Sequence, residues 1–90
     1  MSPEGPWLVT VVVAAYNEAQ SLPLLHPRLM AALDALEGVQ GRVLYVDDGS
    51  RDATWEVMRA SAPDDPRVSV LRLSRNFGKE AALTAGLDRV

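Results

Sequence analysis

The sequence of 90 residues has no cysteine and a single histidine, His26. The lack of cysteine excludes disulfide bonds and thiolate metal sites. A metal centre built from a histidine cluster is excluded too, because His26 stands alone beside Pro27. His26 falls where a helix is predicted to begin, and no functional role is expected for it.

Basic residues are also scarce, since 9 Lys and Arg against 12 Asp and Glu give a formal net charge of -3. A nucleic-acid-binding protein normally carries a basic patch, so nucleic acid is not an expected partner. The longest apolar run, from Leu8 to Ala15 with Thr10 inside, is far too short to cross a bilayer. Residues 1–6 lack the basic start of a signal peptide, and the expected location is cytoplasmic.

Glycine is missing where a dinucleotide-binding protein needs it. In such proteins a G-x-G-x-x-G turn follows the first strand and lets backbone amides approach a pyrophosphate. Here the first apolar run leads into Tyr16 to Ser21, a segment without glycine. A dinucleotide-binding fold of that type is therefore excluded, and so is a P-loop.

What the sequence does contain is three apolar segments that alternate with three helical patterns. Trp7 to Ala15 is apolar on both faces, which is typical of a central strand in a parallel sheet covered by helices on both sides. The last apolar segment carries Arg67, Ser69 and Arg72, so it is expected nearer an edge of the sheet. Val68 and Val70 are expected to face inward, followed after a one-residue slip by Leu71 and Leu73. The predicted strands span 7–15, 42–46 and 67–73, and the predicted helices span 21–37, 53–61 and 80–90. The order β-α-β-α-β-α predicts a three-layer α/β/α fold with a parallel sheet.

Leucines at steps of three and four give the first helix one apolar face, formed by Leu22, Leu25, Leu29, Leu33 and Leu36. Ser21 is its expected N-cap. Pro27 removes a backbone donor, so either the helix is kinked there or a short turn precedes a helix that restarts near His26. Asp52 is the expected N-cap of the second helix, with Ser50 as the alternative.

Residues 1–6, with two prolines and a glycine, are interpreted as a flexible lead-in, and residues 7–90 as one domain. The last helical pattern runs to Val90 without a Gly, Asn or Pro to close it. We therefore expect the chain to be the N-terminal part of a longer protein.

Polar and charged side chains follow each predicted strand. Right-handed crossovers place the carboxyl ends of parallel strands on one rim, where ligands of open α/β sheets bind. The residues expected on this rim are Tyr16, Asn17, Glu18, Asp47, Asp48, Ser50, Arg75, Asn76 and Lys79. Their convergence predicts a binding site there.

The rim suits a nucleoside. Tyr16 offers a ring on which a base can stack, and carboxylates accept hydrogen bonds from base N–H groups or ribose hydroxyls. Asp47 and Asp48 are adjacent on extended chain, so their side chains should point to opposite sides: one toward the ligand, the other capping or orienting the next turn. Lys79, near a helix N-terminus, could meet a phosphate or be an ordinary surface lysine. A plain hairpin turn at Asp48-Gly49 is less favoured, because no second strand follows directly.

Three segments together resemble the family 2 glycosyltransferases: Val11 to Glu18, Val46 to Thr54, and Arg75 to Leu83. The resemblance is strongest to the dolichol-phosphate mannosyltransferases and their bacterial polyprenyl-phosphate relatives, and it covers nearly the whole chain after residue 6. It implies the N-terminal, nucleotide-binding half of a GT-A, Rossmann-like fold. It also implies a UDP- or GDP-sugar donor.

The resemblance assigns seven residues to the nucleotide-sugar site: Ala14, Tyr16, Glu18, Tyr45, Asp47, Asp48 and Lys79. By position, Tyr16 would contact the base, Glu18 the base or the ribose, and Asp47 the base. Ala14 and Tyr45 match positions that line the nucleotide pocket, although the family usually has proline where this chain has Ala14.

The resemblance further implies that Lys79 lies in a loop that approaches the donor's phosphates. A divalent cation, Mg²⁺ or Mn²⁺, is expected in the full-length enzyme, where the family's Asp-x-Asp motif holds it across the donor diphosphate. That motif does not occur in these residues. No metal ligand is therefore expected in this chain, and the catalytic residues are expected beyond Val90.

The function expected from the resemblance is the sugar-nucleotide-binding portion of a transferase that moves a hexose to a polyprenyl or dolichyl phosphate. Such an enzyme would act at the cytoplasmic face of a membrane in cell envelope glycan biosynthesis, and these residues alone would be inactive. The alternative is a stand-alone nucleotide-binding or regulatory module without transfer activity. A receiver-like signalling domain is less favoured, because its paired acids would follow the first strand rather than the second.

Overall fold

A computed structural model describes residues 6–90 of the chain. Its elements are β1 (Trp7–Ala15), α1 (Leu22–Asp34), β2 (Val39–Asp47), α2 (Thr54–Ala60), β3 (Val68–Arg72) and α3 (Lys79–Arg89). The predicted order of strands and helices is confirmed, with boundaries that move by one to three residues at most ends. Residues 1–5 of the predicted lead-in lie outside the described residues.

The three strands form a parallel sheet in the order β1-β2-β3. The register aligns Ala15 with Asp47 and Asp47 with Arg72, so the carboxyl ends of all three strands share one rim. In the described sheet β2 is the central strand and β1 lies at an edge, which differs from the expectation for the first strand. An unbroken apolar run reports that both faces of a strand are covered, and it carries no information on how many strand neighbours there are.

Helices cover both faces of the sheet, as the predicted α/β/α layers require. On one face α1 and α2 pack over Val43, Tyr45 and Val68, and on the other face α3 packs against Leu44 and Val46. The three-layer α/β fold is confirmed.

The third strand keeps a strict two-residue alternation rather than a slip. Val68 and Val70 pack in the core under α1 and α2, whereas Leu71 and Leu73 pack in the core under α3. Because both faces of β3 are covered, apolar residues of both parities are buried without any change of register.

The first helix is one uninterrupted element with Pro27 inside it, so the predicted restart near His26 is wrong. Its buried residues are Leu22, Met30 and Leu33, while Leu25 and Leu36 of the predicted face are exposed. Ser21 is the N-cap of α1, as predicted, although its side chain makes no cap bond within the described residues. The prediction for the second helix is wrong, because Ala53 rather than Asp52 or Ser50 is the N-cap of α2. Asp52 acts one residue earlier, where its carboxylate accepts the N–H of Thr54 at 2.9 Å.

The third helix lies on the opposite face from the first two and packs across β1 and β2. Gly86 permits this approach, because a Cβ atom there would come within 2.6 Å of Val12 and 3.0 Å of Val46. The chain thus reverses its winding after β3, and the start of α3 comes to the carboxyl ends of β1 and β2. Ligands of open α/β sheets bind at such a reversal. Of the helices in residues 6–90, none has the length and apolar character that a membrane crossing needs.

Candidate nucleotide-binding site

A cavity of about 200 Å³ opens where the ends of β1 and β2 meet the start of α3. Its lining consists of Ala14, Ala15, Tyr16, Glu18, Asp48 and Lys79. Five of the seven site residues predicted from the sequence therefore line the same cavity. The other two, Tyr45 and Asp47, are not among its lining residues.

The loop after β1 is attached to the loop after β2 through Asn17. Asn17 has a φ of 55°, in the left-handed region that asparagine tolerates better than most residues. Its N–H donates to Oγ of Ser50 at 2.9 Å, and its Oδ1 accepts the N–H of Arg51 at 2.9 Å. The turn at Asn17 therefore fixes how its two neighbours, Tyr16 and Glu18, approach the cavity.

Two further hydrogen bonds continue this attachment. The N–H of Glu18 donates to Oγ1 of Thr54 at 2.8 Å, and the N–H of Ala19 donates to Oδ2 of Asp52 at 3.3 Å. The Thr54 hydroxyl in turn donates to Asp52, and this bond is the main reason why the pKa of Asp52 is lowered. Because the lowered pKa belongs to the folded state, the stabilisation is present above the ordinary value of about 4 and is lost as the pH falls through the folded value.

Asp48 joins the end of β2 to the loop that leads into α3. Its side chain is buried, with a relative exposure of 3% for the residue. Its Oδ1 accepts the N–H of Phe77 at 2.9 Å, and its Oδ2 accepts the N–H of Gly78 and the side-chain amide of Asn76, both at 3.1 Å. Asp48 thus lines the cavity and positions the loop that carries Lys79.

Asp47 points to the other side of the sheet, as its place next to Asp48 on an extended strand predicted. The residue is fully buried, and its Oδ1 accepts the N–H of Ser50 at 3.0 Å. Among residues 6–90 its Oδ2 has no hydrogen-bond partner, and it lies 3.5 Å from Nε of Arg72. Of the two acids, Asp47 is therefore the one that orients the turn, and Asp48 is the one that lines the cavity. Asp47 does not line the cavity, so its contact with a ligand base stays a prediction that this geometry disfavours.

Tyr45 also lies away from the cavity, because it shares the face of β2 that α1 and α2 cover. Its hydroxyl is 2.6 Å from Nδ1 of His26, and burial raises the pKa of the Tyr45 phenol. A separate, mainly apolar cavity of about 320 Å³ lies beside this pair, between α1 and α2. The alternation of side chains along β2 turns Tyr45 away from the rim cavity, so its place in the nucleotide pocket stays a prediction that this geometry disfavours.

Gly49 brings the two loops beyond β2 and β3 into contact. It has a φ of 69°, and a Cβ atom there would come within 2.2 Å of the backbone carbon of Arg75 and 2.4 Å of the backbone nitrogen of Asn76. A side chain at this position would therefore separate the two loops. The glycine of the Asp48-Gly49 pair is required by this contact as well as by its backbone conformation.

The arrangement offers the groups that a nucleotide needs. Tyr16 is 40% exposed and can present its ring to a base. Glu18 and Asp48 supply carboxylate acceptors, and Lys79 begins α3, where a phosphate would meet both its charge and the helix N-terminus. Within residues 6–90 no group of three or more His, Cys, Asp or Glu side chains is placed to hold a metal ion. The described residues therefore do not fit a divalent cation site, and no chemical step is assigned to a metal here.

Asn17 and Ser50 were predicted on the rim, but no role was predicted for Thr54, which is fully buried and accepts the N–H of Glu18. The sequence signal for Thr54 is its position two residues after Asp52, which allows their side chains to form a hydrogen bond. Its partner on the other loop could not be identified from spacing, because the two residues are 36 positions apart.

Comparison with known proteins decides the family. The model of the family "Glycosyl transferase family 2" matches residues 10–90. This chain belongs to glycosyltransferase family 2. The match includes every residue that lines the cavity, and it confirms the family resemblance of the three sequence segments.

Among curated proteins, this family 2 chain is 38% identical over 80 residues to a prophage bactoprenol glucosyl transferase homolog of Escherichia coli, covering 89% of the chain and 26% of that protein. It is 42% identical over 83 residues to an undecaprenyl-phosphate 4-deoxy-4-formamido-L-arabinose transferase of Salmonella paratyphi A, covering 91% of the chain and 25% of that protein. The chain thus spans about a quarter of the length of these relatives.

Among solved structures, the chain resembles a mannosyltransferase from Pyrobaculum calidifontis in complex with GDP-Man and Mn²⁺. The TM-score is 0.69 at 30% sequence identity, over 91% of this chain and 24% of that one. The N-terminal α/β portion of a GT-A, Rossmann-like fold is confirmed.

Proposed function

We propose that this chain is the donor-binding portion of a glycosyltransferase that takes a hexose from a UDP- or GDP-sugar and transfers it to a polyprenyl phosphate. The observation that carries the proposal is the cavity formed by Tyr16, Glu18, Asp48 and Lys79 at the reversal of the fold. Family membership supports transfer chemistry, and the names of the two bacterial relatives support a polyprenyl acceptor.

In the proposed complex each side chain has a separate task. Tyr16 stacks on the base, Asp48 accepts an N–H from the edge of the base, and Glu18 accepts from the ribose hydroxyls. Lys79 and the first turn of α3 face the diphosphate, where a positive charge and free N–H groups favour an anion. The Asn17 turn keeps Tyr16 and Glu18 in place while the ligand binds.

A divalent cation belongs to the proposal for the whole enzyme, since the similar mannosyltransferase is in complex with Mn²⁺. In a glycosyltransferase such an ion neutralises charge on the departing diphosphate. Because the described residues offer no cluster to hold it, its ligands would have to come from other residues, as would the groups that bind the acceptor.

A titration with UDP and GDP, followed by calorimetry or by chemical shifts, tests the donor site. Tyr16→Ala should weaken binding of the preferred nucleotide by about tenfold, because base stacking on an aromatic ring is worth about 1–3 kcal/mol. Tyr16→Phe keeps the ring and should bind as the parent chain does, which makes it the matched control. Absence of nucleotide binding, or equal binding by Tyr16→Ala, would contradict the proposal.

Two variants that each remove one positive charge test the part of the site proposed to bind the diphosphate. Lys79→Met removes the lysine that lines the cavity, and Arg28→Met removes an exposed charge on α1 that does not line it. Only the first should reduce the affinity for the nucleoside diphosphate relative to the nucleoside. A protein extended to the full length of its relatives could bind the nucleotide and yet transfer no sugar. That result would favour a regulatory module instead.

A further inference from the structure

The hydrogen-bond capacity of Asp48 is almost used up within the protein. An ionised carboxylate has about four lone-pair positions, two on each oxygen. Oδ2 of Asp48 accepts from both Gly78 and Asn76, and Oδ1 accepts from Phe77. The described residues fill three of these positions and leave one acceptor position open, on Oδ1.

The bases of UDP and GDP differ in the number of hydrogen-bond donors that they present to such a carboxylate. Guanine presents two adjacent donors, the ring N1–H and the exocyclic amino group, and a carboxylate meets them by offering both of its oxygens, in the same way that it meets arginine. Uracil and thymine present a single ring N–H between two carbonyl groups. A carboxylate with one open position on one oxygen therefore matches the single donor and leaves a guanine donor unpaired.

The fold itself admits guanine, because a mannosyltransferase with a similar fold is in complex with GDP-Man. The selection has to come from side chains at the cavity. Of the three groups that occupy Asp48, two are backbone N–H groups, which every residue but proline supplies at those positions. The third is the side-chain amide of Asn76, which also donates to the backbone carbonyl of Asp48 at 3.2 Å.

We propose that Asn76 determines the base specificity of the donor site. By filling the second position on Oδ2 of Asp48, it restricts the site to a base with one ring N–H, uracil or thymine, and disfavours guanine. This inference rests on the proposed function, since it concerns the base of the same nucleotide. Asn76 acts through Asp48 and is a positioning residue that need not touch the ligand.

The ratio of the dissociation constants for GDP and UDP tests this inference. In the parent chain UDP should bind at least about tenfold more tightly, because one guanine donor would be left unpaired against a filled oxygen. Asn76→Ala opens the second position on Oδ2, so the ratio should fall by at least about threefold. Arg75→Ala is the matched control, because the Arg75 guanidinium lies over the Phe77 ring, 4.7 Å from its centre, in the same loop. Its ratio should equal that of the parent.

A titration with dTDP separates the two sources of a single ring N–H. Because dTDP also lacks the ribose 2′-hydroxyl, its affinity is compared with that of dUDP. Equal affinities for dTDP and dUDP support recognition of either pyrimidine, and weaker binding of dTDP supports uracil alone. The ratio is insensitive to a general loss of folded protein, which lowers both affinities together, and the parent ratio requires no variant to fold.

Two results would overturn the inference while leaving nucleotide binding intact: GDP bound as tightly as UDP by the parent, or an unchanged ratio in Asn76→Ala. If the parent bound none of UDP, GDP and dTDP, both the proposed function and this inference would be overturned. These failures are distinguishable, since the first concerns a ratio and the second concerns binding itself.

Discussion

Asp47 and Asp48 are neighbours in the sequence and are both buried, yet they belong to different regions of the molecule. Asp48 faces the α3 side, where three donors surround it beside the candidate cavity. Asp47 faces the α1 and α2 side, where one oxygen holds the Ser50 N–H and the other has only Arg72 at 3.5 Å. Two identical side chains thus differ in partners because a strand sends successive residues to opposite layers.

Asp47 and Asp48 therefore have different roles at the end of β2. The α3 side carries the groups that a ligand can reach, and the α1 and α2 side keeps the turn in the shape that brings those groups together. Within the described residues Oδ2 of Asp47 has no hydrogen bond and only an ion pair with Arg72 at 3.5 Å, and a buried acceptor without a hydrogen bond is destabilising.

The largest effect is expected from Asp48→Ala. The substitution leaves the N–H groups of Phe77 and Gly78 and the amide of Asn76 without their acceptor, which should lower the free energy of unfolding by about 2–3 kcal/mol. Denaturant unfolding measures this loss, and a nucleotide titration should show loss of binding in the folded fraction. Retained nucleotide affinity would mean that Asp48 holds the loop without serving the ligand.

Asp47→Ala should have a smaller and different effect. It removes the acceptor of the Ser50 N–H but also removes the buried oxygen that lacks a hydrogen bond, so the free energy of unfolding should fall by only about 1 kcal/mol. Nucleotide affinity should change less than in Asp48→Ala when both are measured on folded protein. If Asp47→Ala proved the more damaging variant for binding, the two acids would have to exchange roles.

The smallest effect is expected from Tyr45→Phe, on the side away from the cavity. Loss of the bond to His26 should lower the free energy of unfolding by about 0.5–1 kcal/mol and leave the affinity for UDP and GDP unchanged. Because burial raises the pKa of Tyr45, the unfolded chain ionises first, so the parent should lose stability as the pH rises above about 10. Unfolding measured against pH should show a smaller alkaline loss in Tyr45→Phe, and a change in nucleotide affinity would return Tyr45 to the site.

The elements and the rim could be predicted because their signals are local. Apolar β-branched runs that end in polar residues indicate the strands and their carboxyl ends, and parallel connections then bring Tyr16, Glu18, Asp48 and Lys79 to one edge. The opposite directions of Asp47 and Asp48 follow from the period of a strand alone.

Other features depend on contacts between distant segments and could not be predicted. The face of Tyr45 is set by the side of β2 that α1 covers, which the family position did not show. Pro27 stays inside α1 because packing of that helix on the sheet outweighs one missing backbone bond. The partners of Asp48 come from a loop about 30 residues away, and no local pattern announces them.

The bonds from Phe77 and Gly78 to Asp48 also give the site a built-in probe. Amide protons in a surface loop normally exchange rapidly with solvent, whereas a hydrogen-bonded amide exchanges only when the structure opens locally. Deuterium uptake at these two amides therefore measures how often the loop leaves the carboxylate. Assembly of the rim can thus be timed in the native protein, without a label, a variant or a bound sugar.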